Sequence, residues 1–144
     1  MQAIIKLIGM TVSDAELKTI LQNAIQNLLW ISESDAPFEV VMWNQSIDHL
    51  GDHTLLQLID RPETTPVETV AIDQFFAPAI QIQDWQSEED TAIVHQYQQL
   101  VDVLKQHLQN LRVYRVGEVE LEIYILGTTQ SGHTAGLVTK AVET

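Results

Sequence analysis

The sequence predicts an α+β fold in which helices cover a largely antiparallel central sheet. Two stretches carry apolar residues at three- and four-residue spacing behind a capping serine, which is the signature of an amphipathic helix. Beyond Asn110 the apolar period changes to two, the signature of a strand. The order reads helix, two strands, helices, three strands, and consecutive strands joined by short turns pair antiparallel. At 144 residues the chain fits one domain, large enough to bury about two-thirds of its unfolded surface without metals or disulfides.

The first helix opens on Ser13 and Glu16, a capping box, and continues through Leu17, Ile20, Leu21, Ala24, Ile25, Leu28 and Leu29. Residues 32–37 read as a loop, because serine and aspartate compete for backbone hydrogen bonds and Pro37 holds its predecessor extended. A strand over 38–43 follows. Gly51 marks a turn in "DHLGDH", and residues 54–60 read as the partner strand of a hairpin. Asp73 is placed to cap a short helix carrying Phe75 and Phe76. Residues 81–86, with Trp85, connect it to a longer helix.

That longer helix is capped by Ser87, carries Glu88, Glu89 and Asp90 at its positive end, and shows an apolar stripe of Ile93, Tyr97, Leu100, Val101, Leu104, Leu108 and Leu111. In the final strands Val113, Val119, Leu121, Ile123 and Ile125 share one face, and Glu118, Glu120, Glu122 and Tyr124 the other, which reads as partly wet. Gly117 and the stretch from Gly127 to Gly132 supply the turns.

Composition narrows the function. Twenty acidic against seven basic residues give a net charge of −13, which repels nucleic acid and anionic lipid and attracts cationic protein surfaces. The chain has no cysteine, which excludes disulfides, thiolate zinc and cysteine catalysis. The opening "MQAIIKLIGM" has no basic leader and is broken by Lys6, so it makes a poor signal peptide, and no window approaches the roughly 20 apolar residues of a membrane span. A cytoplasmic location is the expectation.

No enzyme signature emerges. "DHLGDH", residues 48–53, has donor types that bind metals, and a small hydrolase built on His49 and His53 is one reading, but a turn explains the run better. "SGHTAG", residues 131–136, lacks the strand-turn-helix setting of a nucleophile elbow and also reads as a turn. His95 and His107 fall on the polar side of the long helix. Glu33, on a loop without a basic neighbour, reads as solvated, and Trp85 reads first as a core side chain under a connector and second as an interface anchor.

Five stretches, "LLWISESDAPFEVVMW", "IDQFFAPA", "IQDW", "VYRVGEVELEIYILG" and "TKAVET", agree in order and spacing with one family. From Val12 to Thr144 the chain resembles the nuclease A inhibitors, which block a sugar-nonspecific, magnesium-dependent nuclease. The resemblance implies an α/β/α sandwich, a one-to-one complex with a non-specific endonuclease, and no catalysis by the inhibitor. It carries no cofactor of its own, the magnesium being the target's. It divides the sequence into an N-terminal extension over 1–11, with an alternative start at Met10, and a single inhibitor-like domain over 12–144.

The resemblance also implies four partner-binding residues: Glu33 of the "SES" loop, Gln83 and Trp85 of the "QDW" connector, and Thr144. By it, Thr144 approaches the nuclease-bound magnesium and Glu33 pairs with an active-site arginine. Elementary chemistry agrees, since magnesium takes hard oxygen ligands and a carboxylate can imitate phosphate toward arginine. The rival reading is an acidic interaction module of the same fold with a non-nuclease partner.

Overall fold

A computed structural model describes residues 12–45 and 52–143. Helix α1 (Asp14–Ala24) begins where the sequence places it: the Ser13 hydroxyl accepts from the Glu16 amide at 3.1 Å, and the Glu16 carboxylate accepts from the Ser13 amide, which closes the capping box. It ends earlier than its periodicity suggests. The backbone reverses at Asn27, whose φ of 62° is tolerated by asparagine better than by most residues. Leu28 is therefore buried from outside the helix, and Leu29 opens a strand.

Strands β1 (Leu29–Ile31) and β2 (Asp35–Pro37) pair antiparallel as a short ribbon, so half of the expected loop over 32–37 is extended and only Ser32–Ser34 forms its tip. Strand β3 (Glu39–Trp43) is confirmed, but its hairpin partner is not. Residues 54–60 do not form a strand: helix α2 (Asp52–Leu58) occupies that stretch, and β3 pairs with the last strand of the chain. Leu55, Leu56 and Ile59 have the i, i+1, i+4 spacing of a helical face, and the short apolar run was ambiguous between the two periods.

Strand β4 (Val67–Val70) leads into α3 (Ile72–Phe76) and a 3-10 turn (Ala77–Ala79). Ala71, not Asp73, takes the N-cap position, and Asp73 in the first turn instead pairs with Lys105 at 2.6 Å. Helix α4 (Glu88–His107) is capped by Ser87 with Asp90 in a second capping box. Its buried face is Val94, Tyr97, Leu100, Val101 and Leu104, while Ile93 points outward and Leu111 belongs to the next strand.

Strands β5 (Gln109–Val116), β6 (Glu120–Thr128) and β7 (Thr134–Val142) complete a five-stranded antiparallel sheet in the order β3-β7-β6-β5-β4. Gly127 lies inside β6, so the last turn starts at Thr129 rather than at that glycine. Gly136 sits in mid-β7 opposite Val41 and Leu126, and a Cβ there would overlap the Ile125 carbonyl, so the strands close up only around a glycine.

Helices lie on both faces of the sheet. On one face α1, α3 and α4 pack Leu17, Leu21, Phe76, Tyr97, Leu100 and Leu104 against Val113, Ile123, Ile125 and Leu137. On the other, Leu55 and Leu56 of α2 cover Tyr114, Val116, Tyr124 and Leu126. The α/β/α sandwich is thus present, with layers of unequal thickness. The face expected to be partly wet is dry at Tyr124 and Leu126 and wet only toward Glu118 and Glu120. Among the described residues no helix is long and apolar enough to cross a membrane.

Candidate functional site

The β1–β2 ribbon owes its position to aromatic packing. Trp30 points inward, stacks on Phe75 at 4.4 Å between ring centroids, and meets Phe38, Phe76 and Tyr97 edge-on. The Tyr97 hydroxyl donates to the Leu29 carbonyl, and burial raises the Tyr97 phenol well above its ordinary range. The alternate residues Leu29 and Ile31 face solvent. An inward tryptophan thus holds a ribbon whose tip is exposed at Glu33 and Ser34.

The tip is Ser32-Glu33-Ser34. The Ser32 hydroxyl donates to the Ser34 carbonyl at 2.9 Å and accepts from the Val142 amide at 3.0 Å, while the Glu33 amide donates to the Val142 carbonyl at 3.3 Å. Ser32 is therefore the joint between the tip and the end of β7. The Glu33 side chain is exposed.

Past β7, the Glu143 amide donates to the Val119 carbonyl at 2.9 Å, and the Glu143 carboxylate accepts from the guanidinium of Arg115 on β5. The same guanidinium meets Glu68 of β4 at 3.0 Å. Beside this end of the sheet lies a cleft of about 650 Å³ bordered by Ser34, Asp35, Arg61, Glu120, Glu122 and Lys140. Arg61 grips Glu122 through two bonds of 2.7 Å each, a forked contact that fixes the floor of the cleft.

The connector presents Trp85 in a different way. The Gln83 amide donates to the Gln86 side chain at 2.8 Å and the Gln86 amide to the Gln83 carbonyl at 3.1 Å, closing a tight turn over Asp84 and Trp85. The Gln98 side chain donates to the Ile80 carbonyl at 2.9 Å and anchors the start of the segment on α4. Trp85 is 79% exposed, so it is not the core side chain its hydrophobicity first suggests. Gln83 is exposed as well.

"SGHTAG" forms the turn between β6 and β7 together with the start of that strand. His133 Nδ1 lies 2.6 Å from the Asp14 carboxylate, and the Ser131 hydroxyl donates to the other oxygen of Asp14 at 2.9 Å. The histidine bond holds the Asp14 carboxyl below its ordinary pKa against the opposing effect of desolvation. Serine and aspartate both address Nδ1, so no charge relay runs from carboxylate through imidazole to hydroxyl. This is a clamp of α1 onto the turn.

Of the four expected partner-binding residues, Glu33 is joined to the end of β7, Gln83 and Trp85 share the α4-anchored connector, and Thr144 lies outside the described residues. Residues 1–11 and most of "DHLGDH" also lie outside them. His53 is described and sits 3.3 Å from Glu63. Among the described residues no group of three or more histidines, cysteines or acids could hold a metal. Sequence reasoning missed Ser32. Its only signal was a serine beside the loop glutamate, and its partner is 110 residues away.

No curated protein matches the chain. Residues 15–144 match the family model described as nuclease A inhibitor-like protein. Covering all but the start of the sequence, that match includes the ribbon, the connector and the whole sheet, and the chain belongs to the nuclease A inhibitor-like family.

Proposed function

We propose that this protein inhibits a sugar-nonspecific DNA/RNA endonuclease by occluding its magnesium-containing active site with Thr144 and the acidic "SES" loop. Family membership supports an inhibitory role, and one observation carries the mechanism: Ser32 and the Glu33 amide bind the Glu33 loop to Val142, two residues before Thr144. A carboxylate and the segment leading to Thr144 are presented together on one rigid support. Glu33 occupies the place of a substrate phosphate toward a cationic side chain of the nuclease, a forked contact that gains strength as water is excluded.

Thr144 offers hard oxygen atoms suited to the nuclease's magnesium, which prefers such ligands and keeps exchangeable waters. Trp85 is the apolar anchor: an aromatic side chain held by a closed turn at 79% exposure gives up much surface to water until a partner covers it. The complex is one-to-one, and the net charge of −13 speeds encounter with a basic, nucleic-acid-binding cleft.

Inhibition of a magnesium-dependent, sugar-nonspecific endonuclease digesting plasmid DNA tests the reading. Glu33→Ala and Trp85→Ala should each weaken inhibition by about 2 kcal/mol, and removal of Thr144 should weaken it too. Full inhibition by all three variants overturns the proposal. Binding that depends on salt but is indifferent to magnesium and to Thr144 would point to a non-nuclease partner instead.

A further inference from the structure

Glu68 on β4 and Glu143 past β7 both meet Arg115 of β5, and two further acids, Glu118 and Glu120, lie around the β5–β6 turn beside the end of β7. In a chain of net charge −13 such a group repels itself. Arg115 answers two of its members. Its Nε lies 3.0 Å from Glu68, its terminal nitrogen donates to Glu143, and its side chain is only 20% exposed.

The register explains why this arginine and not another reaches the end of the chain. Arg115 lies opposite Ile123 on β6, and Ile123 opposite Thr139 on β7. Glu143 follows Thr139 by four residues, and its amide donates to the carbonyl of Val119, just before β6. Residues 113, 115 and 141 share one face by alternation, and the Arg115 guanidinium reaches the Glu143 carboxylate just past that strand. A guanidinium can send separate donors in fixed directions to two carboxylates, whereas an ammonium acts as a single point charge.

We infer that Arg115 is a positioning residue for the inhibitory end of the chain. It holds Glu143 by its side chain while Val119 holds it by its backbone, so the residue before Thr144 is fixed before a partner arrives. This rests on the proposed contact of Thr144 with the nuclease. Its advantage is preorganisation: a residue ordered in the free protein does not lose that freedom at the binding step.

Arg115→Met and Glu143→Gln should each weaken inhibition of the same endonuclease roughly tenfold, the order expected when the ordering of about one residue is deferred to binding. The double variant should be no weaker than the weaker single variant, and Arg115→Lys should recover only part of the loss. In the free protein, nitrogen-15 relaxation at the Glu143 amide should show faster motion in both single variants at an unchanged thermal midpoint. Glu143 is exposed and follows the last strand, so Glu143→Gln carries the test even if Arg115→Met folds poorly. If removing Thr144 costs inhibition while Glu143→Gln inhibits like the parent, or if the Glu143 amide stays rigid in that variant, this inference fails and the proposed function stands. If removing Thr144 costs nothing, the proposed function fails first.

Discussion

The two faces of the sheet are built from the same strands to different depths. On one face three helices and an aromatic cluster bury Leu21, Phe76, Leu100 and Leu104 completely. On the other, among the described residues, a seven-residue helix covers Tyr114, Val116, Tyr124 and Leu126 with Leu55, Leu56 and the flanking Ile59. The thick face therefore has many mutually supporting neighbours and little room to adjust. Among the described residues, the thin face is covered by one short helix, with fewer neighbours to support each contact. Deep and shallow packing are thus placed on opposite sides of one sheet, while the acidic tip and the end of β7 lie along its end.

The largest test removes matched leucines. Leu104→Ala should cost about 4 kcal/mol, because a tightly surrounded site cannot collapse into the space left behind, and Leu55→Ala about 2 kcal/mol, because α2 can settle toward the sheet. Both are measurable by denaturant unfolding. Equal losses would show that the thin face is as constrained as the thick one.

A smaller effect comes from the tyrosines. Burial raises Tyr124 to about 12 and Tyr97 further still. Each phenol is neutral in the folded protein where it would ionise in the unfolded chain, so the stability it contributes is complete below about pH 10 and is lost as pH rises from there through the raised folded value. Phenolate absorbance should show Tyr124 ionising before Tyr97 as pH rises. The reverse order would mean that the thick face is the wetter one.

The smallest expected effect is at the clamp between α1 and the β6–β7 turn. The Asp14 carboxyl is held below its ordinary pKa, so its contribution is present above about pH 4 and is lost as pH falls through the lowered value. Asp14→Asn should lower stability by at most about 1 kcal/mol near neutrality, with the gap to the parent closing under acid. A gap that persists at low pH would assign the residue to packing instead of charge.

How much of this was legible in the sequence follows from the range of each interaction. Ser13 with Glu16 and Ser87 with Asp90 are contacts three residues apart, so both helix starts could be read directly. The alternation in β6 was legible for the same reason. Leu55 and Leu56 were not, because a short apolar run fits either period until its neighbours are known, and β3 found its partner in β7 rather than in the next element. The two faces of β6 were separated correctly, but that α2 would dry one of them depended on a helix the periodicity did not reveal. At the site, residue identities came from resemblance and exposure from structure: Trp85 by chemistry alone belongs inside. Ser32 and Arg115 act through partners on other strands, and no local pattern marks such a role.

The bonds between Ser32 and Val142 have a consequence for copying this surface. The tip and the end of β7 are separated by most of the sequence, yet each supplies hydrogen bonds that the other needs. A linear peptide spanning the ribbon would keep Glu33 and lose the strut beneath it, and a peptide copying the last strand would lose its abutment. The proposed recognition element is discontinuous: it exists only once the sheet has closed, and it can be transplanted only with the sheet that carries it.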